Sequence, residues 1–122
     1  MVPSPTQCTT QITQREPPII HLALHVIVPA IVAGLFYRKA WLMALAVMMA
    51  TMVVDADHLL ADPIYDPNRC SIGFHPLHRI VPILLYGALC FLPKTRLVGL
   101  GLMIHMALDS IDCQMTNGVW YQ

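Results

Sequence analysis

The sequence predicts an all-α membrane protein, a bundle of four transmembrane helices. Its 122 residues are 57% hydrophobic and only 11% charged, and the mean hydropathy is positive. The apolar residues fall into four stretches joined by short turns. Those stretches lack the polar face that a helix in water needs. Net charge is zero, so the chain has no basic footprint for nucleic acid and none is expected as a partner. A chain this short is read as a polar N-terminal arm over residues 1–17 and one transmembrane domain over 18–122. The arm, MVPSPTQCTTQITQREP, lacks the basic start, apolar run and small-residue cleavage site of a signal peptide.

The first stretch runs roughly from Pro18 to Tyr37 and the second from Ala40 to Leu60. About 20 residues at 1.5 Å each cross a hydrocarbon core of about 30 Å. The third, roughly Pro76 to Leu92, is shorter, and the fourth runs roughly from Arg96 to Cys113. Pro29 and Pro82 are expected to kink their helices, because proline removes a backbone donor. Arg38 and Lys39 mark one turn, and Lys94 and Arg96 another, so both turns are expected on the cytoplasmic side. The termini and the loop over residues 61–74 then face the other way, where Arg69 and Arg79 are accompanied by Asp62 and Asp66. Trp41 and Trp120–Tyr121 suit the two membrane interfaces.

The chain also carries six histidines and six aspartates, most of them near one end of the apolar stretches. His21 and His25 lie at the outer end of the first helix and Asp55, Asp57 and His58 at the outer end of the second. His75 and His78 open the third, while His105, Asp109 and Asp112 close the fourth. The alternating direction of the helices brings all four groups to one membrane face. Each ionisable group in a membrane segment costs roughly 2.5–3.5 kcal/mol on insertion. A bound cation offsets that cost by neutralising carboxylates and taking imidazole lone pairs.

At about 100° per residue, His105, Asp109 and Asp112 share an arc of about 60°, and His21 and His25 lie about 40° apart. Asp55 and His58 fall about 60° apart, whereas Asp57 points about 160° from Asp55. Asp57 is therefore left to a second position, a neighbouring helix or an arginine. The expected ligands are His21, His25, Asp55, His58, His75, His78, His105 and Asp109. Mixed imidazole and carboxylate donors suit a divalent transition metal, zinc first and manganese or iron otherwise. Their number accommodates one or two ions with orienting carboxylates behind the histidines.

Asp62-Pro63, Asp66-Pro67-Asn68 and Gly73 shape the loop before the third helix into a lid over this site. Cys8, Cys70 and Cys113 are expected on the same side and Cys90 within the third helix. Cys70 can pair with either Cys113 or Cys8.

Three elements, Asp55-Ala-Asp-His58, His75-Pro-Leu-His78 and Gly101-Leu-Met-Ile-His105-Met-Ala-Leu-Asp109, resemble small bacterial inner-membrane proteins described as membrane-bound metal-dependent hydrolases. The run Asn68-Arg-Cys-Ser-Ile-Gly-Phe-His-Pro-Leu-His78 is similar to a poorly characterised subfamily of these. The resemblance implies a multi-pass protein of the bacterial inner membrane with metal-dependent hydrolysis as its activity. The site is then expected on the periplasmic side.

The functional expectation is hydrolysis of an ester or phosphoester in an amphiphilic, phosphate-bearing substrate taken from the lipid bilayer. Asp57 or Asp112 would serve as general base, and Arg69 or Arg79 would hold an anionic head group. The competing expectation is a non-enzyme that stores, senses or conducts a metal or protons. Homo-oligomerisation is left open.

Overall fold

The computed structural model describes residues 18–64, 66 and 68–122. The predicted N-terminal arm and Cys8 lie outside the described residues. Among the described residues there are four α-helices and several 3₁₀ segments and no strand. Helix α1 is Pro18–Phe36, α2 is Trp41–Ala50, α3 is Ile80–Leu89 and α4 is Arg96–Asn117.

Pro18 opens α1, where a missing N–H costs nothing, and the helix runs on through Pro29. After a short 3₁₀ turn at Arg38–Ala40, α2 passes directly into a ten-residue 3₁₀ segment, Thr51–Leu60. Among the described residues, Ile19–Phe36 and Arg38–Leu60 are the two helical stretches long and apolar enough to cross a membrane. The other two predicted spans differ. Residues 76–78 form a separate 3₁₀ turn, so α3 has only ten residues, about 15 Å of helix. Pro82 thus sits in the first turn of α3, where it breaks no helical hydrogen bond. Helix α4 is 22 residues long and carries His105, Asp109 and Asp112. It continues past Cys113 to Gly118, which takes the left-handed conformation (φ +71°) that commonly closes a helix.

The 3₁₀ segment matters most for the site. Its period is three residues per turn, so residues three apart eclipse. Thr51, Val54 and Asp57 are buried, Met52, Asp55 and His58 are half-buried, and Val53, Ala56 and Leu59 are exposed. The expected 160° separation of Asp57 from Asp55 assumed an α-helix. The 3₁₀ phase carries Asp57 inward instead.

Helix α4 packs against α1, α2, α3 and the 3₁₀ segment. A Cβ on Gly101 would come within 2.6 Å of Thr51 Oγ1 and 2.9 Å of Met48 Cα. The two backbones meet at this crossing, as a residue without a side chain permits. One turn further along α4 is His105, and four residues further along the other segment is Asp55. Ala33, Ala44 and Met48 form an apolar core with Val32, Leu45, Leu97 and Ile104 packed against it. Large apolar side chains outside it, including Ile19, Leu35, Leu42, Val53 and Leu84, are exposed.

Candidate metal centre

Three groups of ligand-bearing side chains meet at one end of the bundle. Asp55, His78, His105 and Asp109 form the first; His21, His25 and Asp109 the second; Asp57, His58 and His75 the third. Together they include all eight residues expected as ligands, with Asp57 added. Each group has the donors and the closeness to hold a metal ion.

In the first group four ligand atoms lie within 4.8 Å of one another. His105 Nε2 lies 3.0 Å from Asp55 Oδ1, 3.2 Å from Asp109 Oδ2 and 3.4 Å from His78 Nε2. His78 Nε2 lies 3.4 Å from Asp55 Oδ1 and 3.2 Å from Asp109 Oδ2. A tetrahedral ion with bonds of about 2.0–2.1 Å spaces its ligand atoms about 3.3–3.4 Å apart. Asp109 Oδ2 is buried and accepts no hydrogen bond despite its two close nitrogens. His105 Nε2 is directed instead at Asp55 Oδ1 and His78 Nε2.

The second group uses the other oxygen of the same carboxylate. His21 Nε2 and His25 Nε2 lie 3.1 and 3.3 Å from Asp109 Oδ1. His25 Nδ1 lies 2.9 Å from the carbonyl of His21. A carbonyl only accepts, so Nδ1 carries the proton and donates it. His25 Nε2, buried without a hydrogen-bond partner, is left with its lone pair toward the group. Asp112, proposed from sequence as a base, lies 3.8 Å from His21 Nδ1 at the half-exposed rim.

Asp57 joins the first group to the third. Its Oδ2 accepts from His78 Nδ1 at 3.0 Å and from the Leu77 N–H at 2.8 Å. That bond fixes the tautomer that aims His78 Nε2 at the cage, the usual role of a carboxylate behind a ligating histidine. Its Oδ1 lies 3.2 Å from His58 Nδ1. His58 also donates from Nδ1 to the Asp55 carbonyl, 3.1 Å, with its Nε2 3.3 Å from Ser71 Oγ. The His58 and His75 rings lie 3.8 Å apart. Burial, and then the adjacent His58 ring, push His75 down to about 4, so at neutral pH it keeps a free lone pair.

The two arginines part company. Arg69 donates to the carbonyls of Pro63 and Ile64 and lies over the Phe74 ring at 4.6 Å, holding the loop to itself. Arg79 lines an open cavity of about 470 Å³ together with Asp57, His75 and Phe74. Among the described residues, neither arginine pairs with an aspartate.

The loop is anchored by a disulfide between Cys70 and Cys113, one of the two pairings open in the sequence. Gln122 accepts from the Cys70 N–H through Oε1 and donates from its backbone to Ile72. Gly73 (φ +89°) leaves the space that Gln122's backbone fills. Sequence reasoning missed Ser71 and Gln122. Neither lies in a periodic pattern, and only the folded loop brings them to the site.

No functionally described protein and no solved structure matches the chain. Residues 17–116, the stretch that carries all three ligand groups, match a family of unknown function, DUF6122, and the chain belongs to that family.

Proposed function

We propose that the protein is a membrane-embedded, metal-dependent hydrolase of an ester or phosphoester bond in an amphiphile. One observation carries this reading: Asp109 presents one oxygen to each of two ligand groups, one of them a four-atom cage of tetrahedral spacing. That is the arrangement of a carboxylate shared by two metal ions. Zinc fits the donors and spacing best, with manganese and iron next. Such an ion acidifies bound water toward a pKa of about 7 and polarises the bond under attack.

The chain's own residues supply the rest. Asp57 orients His78, and Asp112 lies behind His21. The His21, His25, Asp109 group has three protein ligands, the number that leaves a position for water or substrate. The exposed apolar surface of α1 and α2 suits a bilayer, from which an amphiphile reaches the outer end sideways. The Cys70–Cys113 disulfide supports an oxidising compartment on that side, the periplasmic face of a bacterial inner membrane. The likeness to membrane-bound metal-dependent hydrolases supports the same reading.

The competing reading is a metal- or proton-handling protein without catalysis. The four-ligand cage favours it, since structural zinc sites are closed. Against conduction, the space inward of His25 and His105 is a cavity of about 10 Å³, followed by the packed Ala33, Ala44 and Met48. Elemental analysis of the purified chain, with turnover on a panel of lipids and phosphoesters, separates the two. Hydrolysis abolished by a chelator and restored by zinc is expected. Metal-loaded protein that hydrolyses nothing, yet moves metal across vesicles, refutes the hydrolase reading.

A further inference from the structure

We propose that Asp57, His58 and His75 form a third metal position, and that the cavity in front of it takes the phosphodiester group of an amphiphile. This rests on the hydrolase reading and names the substrate class of its site.

The third group shares no ligand with the pair joined by Asp109. Its ligand atoms come from the 3₁₀ segment and the loop before α3. Asp57 is the key residue. Its side chain is 2% exposed, and Oδ2 is committed to His78 and Leu77. Oδ1 is buried without a hydrogen-bond partner. A buried carboxylate oxygen left so is costly unless a cation meets it. His58 and His75 flank it, and their rings stack.

This group opens onto the large cavity, whereas the cage does not line it. Asp57 and His75 form part of the cavity wall, with Arg79, Asp62, Leu60 and Phe74 around them. A divalent ion and one guanidinium, set against the carboxylates of Asp57 and Asp62, leave these side chains with one net positive charge. A phosphodiester's one negative charge neutralises them, whereas the second charge of a phosphomonoester would be left unpaired in a cavity that the Asp62 carboxylate also lines. An uncharged carboxylic ester would gain nothing from the guanidinium, which suits phosphate oxygens. Leu60 and Phe74 line the cavity yet are 79% and 46% exposed, which gives the apolar part of an amphiphile a surface to follow. The reaction needs water alone. Its oxygen bonds to phosphorus, the P–O ester bond breaks, and the departing alcohol takes a proton, leaving a phosphomonoester.

Zinc content of the full chain, purified in detergent, tests the metal position. Three ions per chain are expected in the unmodified protein and two in His75→Ala. Zinc-edge anomalous scattering from crystals of the unmodified protein tests the same point without a variant, through a peak among Asp57, His58 and His75. Two ions and no such peak overturn the third position and leave the Asp109 pair standing. No zinc at all overturns the metal reading beneath both. For the cavity, bis(p-nitrophenyl) phosphate should bind the zinc-loaded protein about tenfold more tightly than p-nitrophenyl phosphate, and Arg79→Ala should weaken it about tenfold with zinc content unchanged. Equal or tighter binding of the monoester, or unchanged diester binding in Arg79→Ala, overturns the substrate class.

Discussion

The four-atom cage and the cavity-facing group draw on the same two segments and are built differently. The 3₁₀ segment gives Asp55 to the cage and Asp57 and His58 to the cavity group; the His75-Pro-Leu-His78 turn gives His78 to one and His75 to the other. The cage gains two residues from α4 and is closed by four ligands, three of them almost fully buried. The cavity group receives nothing from α4 and borders open space. In the cage, where that helix supplies two ligands, the site is filled by protein, and in the cavity group, where it supplies none, a face is left for another molecule. Closed and open coordination are what separate structural from catalytic metal positions.

The largest expected effect breaks the enclosed side. Asp109→Ala removes the carboxylate within 3.1–3.3 Å of four histidines, His21, His25, His78 and His105. A loss of about 3–5 kcal/mol in stability is expected, as when one partner of a buried pair is deleted. The metal of both groups that share Asp109 should go with it, read by elemental analysis and thermal unfolding. Full metal content in this variant would falsify the shared-carboxylate arrangement.

Gly101→Val separates the sides by geometry. Its side chain would meet Thr51 and Met48 where α4 crosses the 3₁₀ segment. Overpacking there should cost about 1–3 kcal/mol and spread Asp55 from His105. The cage should weaken while the cavity group, which takes nothing from α4, keeps its ion. Equal losses from both would show that the two are one unit.

Asp57→Asn acts on the link between them. Histidine-orienting carboxylates typically matter about 10–100-fold in metal affinity, and a drop of that order is expected by competition with a chelator. Affinity unchanged within about twofold would remove the orienting role and return Asp57 to the general-base role its sequence position suggested.

Arg69→Ala should do least. The side chain holds loop carbonyls and an aromatic ring at the surface, so a loss of about 1 kcal/mol with metal retained is expected from chemical denaturation. Metal loss in this variant would mean that the loop's shape, and not the ligands alone, maintains the cavity group.

Much of this was legible beforehand. One-turn spacing of His21 with His25 and of His105 with Asp109 identified faces that do meet, because both pairs lie in true α-helices. The same arithmetic set Asp57 apart from Asp55, and the two do fall in different ligand groups, although burial of Thr51, Val54 and Asp57 follows a period of three and not of about 3.6. Arg69 and Arg79 looked alike in sequence. One is spent on its own loop and the other faces the cavity, a difference made by backbone turns that carry no periodic signal.

The sequence by itself determined that the chain is helical, that apolar stretches alternate with polar ends, and that those ends fall at a common depth. Hydrophobic length and connection order decide these, and both are local properties. Only the tertiary structure decided that α3 is short, that Cys70 pairs with Cys113, that one carboxylate serves two groups, and which neighbours in the 3₁₀ segment face the cage or the cavity. These depend on packing against α4, where Gly101 lets two backbones touch. Contact between segments some 50 residues apart, as between Asp55 and His105, leaves no trace in local periodicity.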